Sequence, residues 1–453
     1  MKKLSLIALL LTSAACGDKD GGADSSATDD SAADDTASGD AFVPECVDGV
    51  AAVSGEYTQA KVKLVTGCAY LLSGGVFIGD DVNETILEIE PGVTVYGDNT
   101  TLSFLVIRRG SKLQAEGTAA APIVFTSAVE AGSRKPGDWG GIILNGRAPI
   151  NNCFNGAESL PCEAEGEGGT GLYGGGEPND SSGVLKYVRV EFGGRKITDE
   201  NELNGIAFQG VGSGTVVDYI QAHRGADDGV EFFGGMVDAK HVVVTAPDDD
   251  GIDWTDGWVG RVQFAVVQQA DGLGDNGIEA DNSNDANDAT PRSAPVLSNV
   301  TLVGVPTSDK SDLGALLREG TAAQLWSTLI VGFNQACVGL SQEATFEQAA
   351  SGALVMATSI VDCATSFSTD VEGKTADDVA AWYNGASLGN QETASNLTKP
   401  YDLSAPNFRP SAGSAALSGA QQPTDSFFES VSYIGAFDAT TDWTAGWITT
   451  AAD

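Results

Sequence analysis

From about residue 44 onward, apolar and polar residues alternate in short runs separated by Gly, Asn and Asp. Leu87-Glu88-Ile89-Glu90 is followed by Val93-Thr94-Val95, Leu105-Val106-Ile107, Lys112-Leu113-Gln114-Ala115 and Ile123-Val124-Phe125-Thr126. A period of two predicts strands that turn one face to a core. Amphipathic helical spacing is nearly absent, and only a short helix around residues 377–382 is predicted.

The runs also repeat. Asp227-Asp228-Gly229-Val230-Glu231, Asp249-Asp250-Gly251-Ile252-Asp253 and Asp275-Asn276-Gly277-Ile278-Glu279 share one pattern, at offsets of 22 and 26 residues. Each copy follows another β-run, at 216–222, 241–245 and 262–268. A recurring unit of this length marks a solenoid. The fixed Leu and Asn positions of leucine-rich repeats are missing, and helical repeats need two helices per unit. The expected fold is therefore all-β, a single-stranded right-handed parallel β-helix. Val230, Ile252 and Ile278 should point inward. Glu231, Asp253 and Glu279 should stack outward, with Asp228, Asp250 and Asn276 as a second stack at the preceding turn.

The first residues carry a different message. Lys2 and Lys3 precede an apolar run at residues 4–11, and Ser13-Ala14-Ala15 precede Cys16. This is the layout of a secretory signal, too short to span a membrane. The ending resembles the bacterial lipobox, although the usual Leu is Ser13. That resemblance implies cleavage after residue 15 and lipidation of Cys16, and several acyl chains give a firm anchor. Gly17 after the cysteine is similar to sorting signals that favour the outer membrane in Gram-negative bacteria. Whether the body faces the periplasm or the outside stays open. Residues 17–40 are almost all Gly, Ala, Ser, Thr and Asp, with eight aspartates and one lysine. Such a segment cannot bury enough apolar surface to fold and should act as a self-repelling tether. The expected organisation is 1–15 signal peptide, 16–43 lipidated cysteine and tether, and 44–453 β-helix with a C-terminal cap.

Net charge is −39. Phosphate backbones are bound by Lys and Arg, so nucleic acid is excluded as a partner. The balance suits cation binding or a soluble, self-repelling exterior instead. Setting Cys16 aside leaves six cysteines, an even number in an exported chain, so disulfides are expected. Nearest neighbours are Cys46–Cys68, Cys153–Cys162 and Cys337–Cys363, among fifteen pairings that sequence allows. Two of these pairs repeat the offsets 22 and 26, which suggests staples between successive coils.

A wider resemblance rests on Gly137-Asp138-Trp139-Gly140-Gly141-Ile142, the Gly-rich run 167–175, Asp227-Asp228-Gly229-Val230-Glu231-Phe232-Phe233-Gly234-Gly235, Phe408-Arg409-Pro410 and Asp442-Trp443-Thr444-Ala445-Gly446-Trp447. Together they resemble a family of exported β-helix lipoproteins of Gram-negative bacteria. The family has no established activity, so the resemblance implies fold and location only.

The acidic stacks are the strongest chemical signal. Carboxylates and backbone carbonyls are the ligands of Ca²⁺, and Asp228, Glu231, Asp250, Asp253 and Glu279 are its expected ligands. Asp248, Asp256, Asp281, Asn282 and Asp285 lie close by in sequence. The bland alternative is that Asp-Gly and Asn-Gly only make tight turns. A catalytic alternative takes Asp227, Asp228, Asp249 and Asp250 as acid and base, as in polygalacturonases, or adds a basic group from Arg189, Arg195, Arg224 or Arg261, as in pectate lyases. No Gly-His-Gly or Arg-x-Lys supports it. A third reading places Trp254 and Trp258 beside carboxylates as a platform for a glycan or other surface ligand. The excursion 145–183, with Trp139 just before it and Tyr173 within it, is the longest loop region and a further place for binding.

Overall fold

A computed structural model describes residues 41–153, 161–198, 201–385 and 387–453. The signal segment, Cys16 and the tether to residue 40 lie outside the described residues. Asp40–Asp453 forms one compact unit.

One coil shows how the sequence builds the fold. The strand Asp238–Thr245 bends at His241, where φ is 50°. A turn then leads to the strand Ile252–Thr255. Val242, Val244, Ile252 and Trp254 alternate inward and are buried. The previous coil pairs in parallel on one side, Val216–His223 and Val230–Phe233, and the next pairs on the other, Arg261–Gln268 and Ile278–Ala280. Repeated along the chain, this gives three columns of parallel strands in one 26-stranded sheet. The first two columns meet at the bend. The third follows the turn that carries the acidic repeat. The predicted parallel β-helix is the observed fold. The predicted short helix is Ala376–Tyr383, begun by a capping box between Thr375 and Asp378. A second helix, Glu343–Ser351, was not predicted.

The bend recurs at Tyr187, Tyr219, His241, Phe264, Asn299, Ser327 and Thr358, all with φ between 47° and 62°. Left-handed backbone is unfavourable for such residues. Stacking offsets it: ring centroids lie 4.4 Å apart for Tyr187–Tyr219, 4.0 Å for Tyr219–His241 and 5.2 Å for His241–Phe264. Further along, the ladder becomes polar, with Ser327 Oγ 2.9 Å from Thr358 Oγ1.

The glycines of the acidic repeat do not serve the tight turn that Asp-Gly suggests. Gly229, Gly251 and Gly277 have no left-handed φ. They stand where the next coil leaves no room for a side chain. A Cβ on Gly251 would lie 2.4 Å from Val267 Cγ1 and 2.6 Å from the Gly277 carbonyl. Gly251→Ala is therefore expected to cost about 1–3 kcal/mol through overpacking, read as a lowered urea midpoint. Gly176→Ala, whose Cβ would meet only Pro161 at 3.8 Å, is the control and should leave the midpoint in place.

All three nearest-neighbour disulfides are present, with Cα–Cα distances of 6.1, 5.0 and 5.6 Å. The match of two of their offsets to the acidic repeat is nevertheless coincidental. Register runs from Val50 to Ala69 and from Val338 to Phe367, steps of 19 and 29 residues, so these cystines tie coils through their turns and are not in-register stacks.

Two segments cover the outside. The excursion after residue 145 lays Ile150, Cys162, Ala164 and Tyr173 on Val106, Ile143, Ala207 and Phe233, the outward residues of the third column. The C-terminal segment runs back along the second column. Ala436, Phe437 and Trp447 pack there on Val243, Val266, Val303 and Val331. Outward polar side chains grip its main chain. Gln263 accepts from Glu429 N (2.7 Å) and donates to Glu429 O (2.8 Å). Gln221 does the same at Thr449, at 2.8 and 2.9 Å. His223, pushed down to about 4 by burial, is neutral where Nε2 meets the Ala451 carbonyl at 2.7 Å.

Candidate functional site

The turns from the second to the third column bring the acidic repeat into register. Val230, Ile252 and Ile278 are fully buried in the core, as the alternation requires. Outward, the in-register row reads Ala207, Glu231, Asp253, Glu279, Leu316, so the carboxylate ladder is three coils long with an apolar residue at each end.

The second stack has an architectural role. Asp228 Oδ1 accepts from Asp250 N at 3.0 Å, Asp250 Oδ1 from Asn276 N at 2.5 Å, and Asn276 Oδ1 from Leu313 N at 3.2 Å. Each side chain thus ties a backbone N–H of the next coil. One oxygen of each aspartate is used in this way.

Around both stacks opens a well of about 250 Å³ whose lining is carboxylic throughout. Asp227, Asp249 and Asp275 join Asp228, Glu231, Asp250, Asp253 and Glu279 on the coils. Glu167 comes from the excursion and Glu202 from the hairpin of Arg195–Thr198 with Asn201–Leu203. Two charges 4.8 Å apart repel by about 3.5 kcal/mol at an effective dielectric of 20. Burial first, and the neighbouring charges second, therefore push these groups up: Asp227 and Glu279 to about 8, Glu167 to about 7. Asp275 is raised to about 6 by burial and Asp312. Asp228, Glu231, Asp250 and Asp253 are pushed well above the usual carboxylate range for the same reasons.

The ladder is unevenly compensated. Asn204 Nδ2 donates to Glu231 Oε2. Arg318 Nη2 pairs with Glu279 at 2.7 Å while its Nε pairs with Asp281 at 2.7 Å. Between them, Asp253 is 8 % exposed and its Oδ1 is buried with no hydrogen-bond partner among the described residues. A buried unpaired carboxylate oxygen is strongly unfavourable. Carboxylate oxygens of Asp228, Glu231 and Asp253 lie within 4.8 Å of one another, and so do those of Asp228, Asp249 and Asp250, and of Glu202, Asp227 and Asp249. The donor set is all hard oxygen, which fits Ca²⁺.

Several expected positions are corrected. Trp254 and Trp258 are fully buried: Trp258 stacks on Phe232 at 4.0 Å, and Trp254 Nε1 bonds Thr321. They fill the core and form no ligand platform. Trp139 is buried and donates to the Glu191 carbonyl. Tyr173 donates to Asp256 Oδ2 at 2.7 Å, which engages that carboxylate outside the well. Asn282 organises its own loop through Asn151, Ser293, Asn287 and Ala289. Asp248 and Asp285 are exposed. None of the four arginines lines the well. Arg189 pairs with Glu191, and Arg261 with Asp238 and Asp425. Arg195 reaches the Thr101 carbonyl, and Arg224 lies in the field of Asp453.

Glu167, Glu202 and Arg318 were not predicted. Asp275 could have been, since it opens the third copy of the repeat. Asn204-Gly205-Ile206, one coil earlier, carries the same Asn-Gly-aliphatic pattern and extends the repeat. Glu167 and Glu202 arrive by folding-back of the excursion and hairpin, which leaves no periodic signal.

A family model described as pectate-lyase like beta helix domain matches residues 55–406. The chain belongs to that family. The match spans the stacked coils and both hairpins beside the well. No curated protein and no solved structure matches the chain.

Proposed function

We propose that this protein is a non-catalytic binding scaffold of the bacterial cell envelope, held by lipid on Cys16 and stabilised by Ca²⁺ in the acidic well. The observation that carries the reading is the buried, unpartnered Asp253 Oδ1 among converging carboxylates. Asp228, Glu231 and Asp253 hold the ion, with Asp250 supporting Asp228 and Glu279 shared with Arg318. The ion supplies charge compensation across two successive coils and no chemical step. The outer surface of the solenoid then presents its loops to a glycan or other surface ligand.

A polysaccharide-cleaving enzyme is the weaker reading. Asp227 and Asp249 place carboxylate oxygens within 4.8 Å of each other. That spacing is nearer the about 5–5.5 Å of retaining hydrolysis than the about 6.5–9.5 Å of the inverting kind. A lining without a basic side chain gives an acidic sugar no direct partner.

The test is thermal unfolding after chelation and again with CaCl₂. Calcium at about 100 times Kd should add roughly 2.7 kcal/mol. Asp253→Asn should abolish most of that gain while folding without calcium. An unchanged melting temperature in wild type, with no metal co-purifying, overturns the reading. Cleavage of an acidic polysaccharide that is lost in Asp227→Asn would favour the enzyme instead.

A further inference from the structure

We infer that a second cleft, outside the acidic well, binds a small zwitterion such as a free amino acid or a dipeptide, with the ligand's carboxylate on Arg147 and its ammonium on Glu177. The inference rests on the binding part of the proposed function and gives it a ligand class. It does not depend on calcium, because the cleft shares no residue with the well. The cleft opens between the turn at residues 110–112 and the segment 177–181 of the excursion, and holds about 450 Å³. Small-ligand sites run from about 300 to 1,000 Å³.

The floor is built around Arg147. Its backbone N–H donates to Asp180 Oδ2 at 2.8 Å, and its carbonyl accepts from Glu177 N at 2.8 Å, so the excursion is laced to the coil at this residue. The guanidinium lies across Gly110, where a Cβ would come within 2.6 Å of Nη2 and 2.9 Å of Cζ. Nη2 donates to the Asp81 carbonyl at 3.1 Å, and no other side-chain bond or ion pair holds the group among the described residues. It lacks a carboxylate partner although the chain has 63 acidic residues against 24 basic ones. A guanidinium carries several N–H donors in a planar fork, and most of these remain for the cleft. The opposite wall is fixed as well. Ser213 N donates to the Pro178 carbonyl, and Gly214 N to the Asp180 carbonyl, both at 3.0 Å. Ser213 Oγ donates to Asn179 Oδ1 at 3.0 Å. A preformed wall costs a ligand little ordering.

Charge decides the ligand. Lys112 is already paired with Glu84 at 2.5 Å, and Asp180 uses one oxygen on Arg147 N. Glu177 is exposed, and its carboxylate has no hydrogen bond or ion pair among the described residues. One uncompensated charge of each sign therefore lines the cleft. A ligand carboxylate pairs with a guanidinium through two parallel N–H···O bonds, and its ammonium pairs with Glu177. A simple anion would meet the carboxylates of Glu84, Glu177 and Asp180, and a simple cation would meet the guanidinium. Like charges brought together in this way select against both. A neutral sugar leaves both charges unpaired, and the lining has no aromatic ring for its face.

Isothermal titration calorimetry of the full-length protein, with CaCl₂ present throughout, tests the inference with diglycine and L-alanine as probes. N-acetyl-diglycine, ethylammonium chloride and glucose are the controls. Both zwitterions should bind, and the controls should bind about tenfold more weakly or not at all, because each forgoes a charge-assisted pair. Arg147→Gln and Glu177→Gln should each weaken diglycine by a similar factor. The Glu177 side chain is exposed, so its variant should keep the wild-type melting temperature. No heat of binding from either zwitterion, or binding unchanged in both variants, overturns the inference and leaves the calcium reading as it was. Glucose binding that is lost in Arg147→Gln overturns the ligand class while the binding-scaffold reading stands.

Discussion

Trp447→Ala is expected to destabilise the folded unit by about 3–5 kcal/mol, seen as a large drop in urea midpoint. The indole is 1 % exposed, although the residue stands only six positions before Asp453. It lies in the cluster of Val243, Val266, Val303 and Val331 and meets Tyr187 and Tyr219 edge-on at 5.8 Å. Its Nε1 donates to the Trp443 carbonyl at 2.8 Å. Truncation leaves a cavity against two coils at once. It also loosens the main chain that Arg189, Gln221 and His223 hold, which would leave buried polar groups unpaired. A loss under about 1 kcal/mol would show that the segment is a dispensable tail.

The second large effect is an unusual pH dependence in the chelated protein. Asp227 and Glu279 are raised to about 8 and Glu167 to about 7. In the unfolded chain the same groups release their protons near 4. Between these values the folded state holds protons that the unfolded state has lost. Stability therefore falls as pH rises from about 4 to about 8, by about 1.4 kcal/mol per pH unit for each proton of difference. Carboxylates held low, such as Asp378 and Asp402, change protonation below this window and do not mask the trend. Calcium binds the deprotonated carboxylates, so its stabilisation grows over the same range. Urea midpoints at pH 5 and pH 8, with chelator and with CaCl₂, test both halves. A chelated protein more stable at pH 8 than at pH 5 contradicts the account.

The β-helix was legible because its rules are local. The alternation in Leu87-Glu88-Ile89 and the three acidic copies follow directly from strand pleat and coil repeat. Register then follows for Val230, Ile252 and Ile278 without further information. The ladder Glu231–Asp253–Glu279 was legible for the same reason. Its environment was not. Whether an outward residue meets water or a covering segment depends on contacts across long stretches of chain, as between Tyr173 and Asp256 or Glu167 and Glu202. Trp254 misled because alternation puts it on the inward side with Ile252, while its place beside Asp253 suggested a sugar platform. Gly251 misled in another way: the turn chemistry of Asp-Gly is real, but here the glycine answers to Val267 on the neighbouring strand.

The grip on the C-terminal segment has a consequence for how the chain folds. A coil in a solenoid touches only its neighbours, so such proteins ordinarily fray from their ends and can assemble stepwise. Here Thr449 and Ala451 dock on Gln221 and His223, side chains made 228 residues earlier. The middle coils therefore stay unfinished until residues 449–451 have been synthesised. Once those residues are in place, the final coils cannot peel away without tearing open the centre. A modular array becomes a single cooperative unit, closed by residues 429–451.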